Sequence, residues 1–61
     1  MKKVKLKLVG LNGNAFFLMN AFRKQAEKEG WSNKEIDAVL MECMSDDYDH
    51  LLQTLMKHTE E

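Results

Sequence analysis

Lys2-Lys3-Val4-Lys5-Leu6-Lys7-Leu8-Val9 alternates charged and apolar residues, and it is followed at once by Gly10-Leu11-Asn12-Gly13-Asn14. Val4, Leu6 and Leu8 point one way and Lys3, Lys5 and Lys7 the other, the period-2 pattern of a half-buried strand. The pattern predicts a β-strand over residues 2–9. Everything after the glycines reads as helix, so the sequence offers this strand no second strand to pair with. A lone strand leaves backbone donors and acceptors open along both edges. The expectation is therefore that two copies of the chain pair through it. Val4, Leu6 and Leu8, with Phe16 and Phe17 from the next element, are the expected dimer interface.

Asn12 and Asn14 are both candidate N-caps for a first helix over about 14–29. Ala15, Leu18, Met19, Phe22 and Ala26 share one face of it, while Phe16 and Phe17 fall off that face and need another cover. Gly30 is the expected left-handed residue that closes this helix. Ser32 and Glu35 form a capping box, and Trp31 with Ile36 a hydrophobic staple, so a second helix over 33–44 has the best-marked start in the chain. Its core face is Ile36, Val39, Leu40, Cys43 and Met44. Ser45-Asp46-Asp47 interrupts, and Asp47 caps a third helix over 48–58 with Tyr48, Leu51, Leu52, Leu55 and Met56 inward. The residues from Thr59 onward are expected to fray. The predicted fold class is α+β: one N-terminal strand, then a compact three-helix bundle, in a single domain spanning 1–61.

The chain has 61 residues and one cysteine. A fold this small buries only about 60% of its unfolded surface, and small folds add disulfides, metals or oligomerisation. A single cysteine allows no internal disulfide, and no Cys/His spacing suits zinc. Oligomerisation is left. The net charge of −1 conceals an asymmetry. Lys2, Lys3, Lys5 and Lys7 crowd the strand, whereas all ten acidic residues lie from Glu27 onward against Lys28, Lys34 and Lys57. No apolar run suits a signal peptide or a membrane span, so a cytoplasmic setting is expected.

No set of side chains is spaced for catalysis. Cys43 lies on a core stripe with neither His50 nor His58 at a pairing offset, which makes it a packing residue and not a nucleophile. Asp46, Asp47, Asp49 and His50 are too compact for a calcium loop and suit caps and the helix dipole instead. The Asn12-Gly13-Asn14 turn, between strand and helix, is a candidate anion cradle. It lacks the Lys and Ser/Thr of a phosphate loop. No cofactor, metal site or catalytic residue is expected. The reading is a non-enzymatic binding module.

Three resemblances bear on its partner. Gly30-Trp31-Ser32 and the helices on either side of Ser45-Asp46-Asp47 resemble the second and third helices of ubiquitin-associated (UBA) domains. That resemblance implies a UBA-like bundle and a protein partner held by Gly30, Trp31, Met41, Leu55 and Met56. The basic strand followed by helices that meet at Gly30-Trp31-Ser32 resembles the ribbon–helix–helix repressors. It implies a DNA-binding dimer with Lys3, Lys5 and Lys7 facing the major groove. The whole chain, on Gly13-Asn14-Ala15-Phe16 and Asp47-Tyr48-Asp49-His50-Leu51-Leu52, is similar to small uncharacterised proteins of bacteria and phages. That likeness suggests a regulatory or anti-defence role and implies no activity. Protein binding is the leading expectation, a DNA-binding regulator the alternative, and an anion- or nucleotide-binding protein a further one.

Overall fold

The computed structural model describes residues 2–60. Its elements run β1 (Val4–Lys5), α1 (Ala15–Lys28), α2 (Asn33–Cys43), α3 (Tyr48–Lys57) and β2 (Thr59–Glu60). The three helices pack on one another, and the two short strands form a parallel sheet beside them. This is a small α+β fold.

The strand finds its partner inside its own chain. Val4 lies opposite Thr59 and Lys5 opposite Glu60, in parallel. The Val4 N–H donates to the His58 carbonyl at 2.8 Å and the Leu6 N–H to that of Glu60 at 2.9 Å. Parallel strands need a long crossover, and here the whole helical bundle supplies it. Two expectations are corrected. Thr59 and Glu60 do not fray, because the hydroxyl of Thr59 donates to the Leu55 carbonyl at 2.9 Å and its backbone joins the sheet. Nor does the strand cover residues 2–9. Ladder pairing reaches only as far as Thr59–Glu60 can supply it and ends at the Leu6 N–H, and Leu6 and Leu8 rest half-buried against the core.

The second edge of β1 is occupied as well. The Lys5 N–H points away from β2 and donates to Oε2 of Glu29 at 2.8 Å. A carboxylate on an edge donor blocks the approach of another strand. Val4 is fully buried within its own chain, in one cluster with Phe22, Ile36, Cys43 and Leu55. It therefore has no surface to offer a second copy.

Each helix begins and ends on its own residues. Asn14 accepts from the amides of Phe16 and Phe17 at 2.9 and 3.3 Å and starts α1. Its end is a Schellman motif. The Trp31 N–H reaches back to the Ala26 carbonyl at 3.0 Å and the Gly30 N–H to that of Glu27 at 3.1 Å. Gly30 bridges them at φ +89°, where a side chain would be strained. The same tryptophan precedes the Ser32–Glu35 capping box of α2 (3.2 and 2.9 Å), and its ring meets Phe22 edge-on at 5.5 Å. One buried residue thus closes α1 and opens α2.

The third helix turns differently from the expected stripe. Leu51, Thr54 and Leu55 are its buried residues, while Leu52 is half-buried and Tyr48 and Met56 are exposed. Thr54 enters the core because its hydroxyl donates to the His50 carbonyl at 2.8 Å, which satisfies it. Met44, expected inside, becomes the C-cap of α2 and stands outside.

Candidate functional site

The bundle leaves an apolar trough uncovered, separate from the Leu6–Leu8 cleft beside the sheet. It runs along α1 and the corner where α2 gives way to α3, in two contiguous hollows of about 210 and 280 Å³ that share Phe16, Met19 and Met44. Buried Leu40, Cys43 and Leu51 form its floor. Phe16 is 76% exposed, Met44 60% and Tyr48 44%, a concentration of large apolar surface in a chain this small.

Local structure fixes the backbone from which these side chains project. The Asn14 cap pins the amide of Phe16 and so sets the first turn of α1. The Tyr48 hydroxyl donates to the Gly13 carbonyl and holds the start of α3 against the loop that leads into α1. Asp47 caps α3 through the His50 amide at 2.9 Å, and Asp46 accepts from the Asp47 amide at 2.8 Å. Nε2 of His50 meets Oε2 of Glu42 at 2.6 Å and ties α2 to α3 behind the corner. That hydrogen bond outweighs the opposing effect of desolvation and holds the Glu42 carboxyl below its ordinary value.

The ends of the trough differ in charge. Arg23 and Asn20 line one end, with the guanidinium bonded to Asp37 at 2.9 Å. Asp46 and Asp47 line the other. Cys43 in the floor is no nucleophile: burial, and then the neighbouring Glu42, push its thiol up to about 11, and it points at the Leu51 carbonyl. Among the described residues no group of three or more His, Cys, Asp or Glu is placed to hold a metal ion.

The expected site residues separate. Of the UBA-type partner set, Trp31 is 8% exposed and Leu55 fully buried, so both serve the core. Gly30, Met41 and Met56 remain exposed but stand apart in the chain, in the turn before α2, on α2 and on α3. Of the expected dimer set, Val4 is internal, Leu6 and Leu8 line a cleft with Val9, Met56, Thr59 and Glu60, and only Phe16 belongs to the trough. Phe17 is exposed outside it.

The acceptors of the Asn12–Asn14 turn are turned onto its own backbone and onto Tyr48. Asn12 accepts from the Asn14 amide at 2.9 Å, Asn14 takes the helix amides, and the Gly13 carbonyl takes the tyrosine hydroxyl. An anion would find these helix-start amides engaged. Lys3, Lys5 and Lys7 are all exposed, as expected.

Sequence reading missed Met44 and Tyr48 as surface residues because both sit at helical offsets that suit a core stripe. Their position on either side of the Ser45-Asp46-Asp47 break was the available signal, since residues at helix ends escape the packed face. The Glu29–Lys5 and Glu42–His50 contacts join separate elements and left no periodic trace.

The fold and site define a small α+β protein with an exposed apolar trough. No protein-family model, curated protein or solved structure matches the chain. Among the described residues, no helix is long and apolar enough to cross a membrane.

Proposed function

We propose that this chain is a non-enzymatic interaction module that binds a polypeptide in its Phe16–Met44–Tyr48 trough, in a regulatory role in the cytoplasm. One observation carries the reading. Three large side chains, Phe16 at the start of α1, Met44 at the end of α2 and Tyr48 at the start of α3, stand exposed around one hollow, at helix ends whose backbones are capped. Apolar surface gathered in this way is the common ground of protein recognition. The helix order and the Gly30-Trp31-Ser32 corner support a UBA-like bundle. The binding surface is nevertheless read as the trough, because Trp31 is consumed by the core.

A photo-crosslinking residue tests the reading. Placed at Phe16 in the cells that encode the protein, it should join the chain to a polypeptide. Placed at Met41, which is 68% exposed but outside the trough, it should not. Equal yields at both positions would mean that exposure alone governs the contact.

A second reading, DNA binding, is favoured by the exposed Lys3, Lys5 and Lys7. Retention on DNA that falls steeply with salt and disappears in a Lys3→Glu, Lys5→Glu variant would support it. No retention at low salt would end it.

A further inference from the structure

We infer that the polypeptide in the trough is a second copy of the same chain, related by a two-fold axis near Phe16 and Met44. The inference rests on the interaction reading above and names its partner. Its basis is the charge at the ends of the trough. Arg23 marks one end and Asp46 and Asp47 the other, with apolar side chains between. Arg23 and Ala15, which lines the acidic end, lie eight residues apart on α1, about 12 Å along its axis.

A surface that meets its own copy across a two-fold must be complementary to itself. A trough of one charge would repel its copy, and an uncharged one would set no register. Here a two-fold at the middle brings Arg23 of one copy toward Asp46 and Asp47 of the other, twice, and stacks the two apolar centres. The groups retain capacity for this. The guanidinium has five N–H donors and uses one of its nitrogens on Asp37, and each aspartate caps with one oxygen. The size of the chain points the same way, since a 61-residue fold gains most from burying a further apolar face.

Sedimentation over micromolar to millimolar concentration reads the result. The unmutated chain should pass from the mass of one chain to that of two, and Phe16→Ser should remain a monomer with an unchanged circular dichroism spectrum. The charge pattern gives the sharper test. Arg23→Glu alone, and Asp46→Lys combined with Asp47→Asn (which keeps an acceptor for the α3 cap), each put like charges at both ends of the interface and should weaken the dimer about tenfold or more. Mixed one to one, the two variants put opposite charges at both ends and should restore a two-chain species.

A dimer that survives Phe16→Ser, or a mixture no tighter than its components, overturns the inference. An unmutated chain that stays monomeric at millimolar concentration overturns it too. The crosslinker at position 16 then separates the two claims. An adduct with a different protein leaves the interaction reading standing without the second copy, and no adduct at all removes both.

Discussion

Trp31 and Phe16 are both large aromatic residues at a helix boundary, and they meet opposite fates. Trp31 sits where two helices are joined by four residues, two of them caps. Its N–H closes α1, its ring packs on Phe22, and it precedes the cap of α2, so burial and backbone geometry agree. Phe16 sits where a five-residue turn delivers the chain into α1. Its amide is capped by Asn14, while its ring has no neighbour above it. Helix-end chemistry is complete at both sites. Only one of them also has a core to fill. An aromatic at a helix end is therefore structural when the next element folds back over it, and a contact surface when it does not.

The most damaging way to test this contrast is Trp31→Ala. It removes the edge-on contact with Phe22 and leaves a cavity where α1, α2 and the start of the chain meet. A loss of about 3–5 kcal/mol is expected, a large part of the total stability of so small a domain. Urea denaturation should show the chain largely unfolded at room temperature. A loss under 1 kcal/mol would mean that Trp31 belongs with Phe16 after all.

Truncation after His58 comes next. It strips β2, leaves the Leu6 N–H without the Glu60 carbonyl and uncovers one flank of fully buried Val4. Re-exposed apolar surface and a lost ladder bond together should cost about 2–3 kcal/mol. Unchanged stability would show the parallel pairing to be dispensable.

A smaller effect is expected at the Ser32 cap. Ser32→Ala removes the acceptor for the Glu35 amide and should cost about 1 kcal/mol, measured as a shift in the denaturation midpoint at constant slope.

Acid should probe the same contacts. Hydrogen bonds from Gln25 and the Lys5 amide hold the Glu29 carboxyl below its ordinary 4.5, and the Ser32 amide and Lys2 do so for Glu35. A carboxyl depressed in the folded state stabilises above its unfolded value, and that stability is lost as the pH falls through the folded one. Thermal midpoints should be level near neutrality and fall below about pH 4.5. Glu29→Gln should flatten that fall.

Much of this was legible in the sequence. Asn14, Gly30, Ser32–Glu35 and Asp47 announce their caps in residue types at fixed offsets, because capping is local chemistry. The helices follow from them within a residue at each end. The pairing of β1 was not legible. Thr59 and Glu60 form too short a stretch to alternate, and they become a strand only because the bundle carries them back to Val4. The trough was hidden for the opposite reason. Met44 and Tyr48 fit the helical period, and periodicity reports which way a side chain faces on its own helix, without reporting whether another element arrives to cover it.

The smallest expected effect bears most directly on the contrast. Phe16→Ser changes a ring that contributes little to the packing of its own chain, while the cap that fixes its backbone, Asn14, is untouched. Measured where the protein is a monomer, stability should move by no more than about 0.5 kcal/mol, the range of ordinary surface substitutions. Set beside the same measurement on Trp31→Ala, this gives two aromatic truncations at helix boundaries that differ several-fold in cost. A large loss at Phe16 in the dilute monomer would mean that the ring supports the bundle from outside, and the trough would then be a flaw in packing and not a binding surface. A negligible loss in the monomer, together with a measurable one at concentrations where copies associate, locates the value of that ring in the contact between chains.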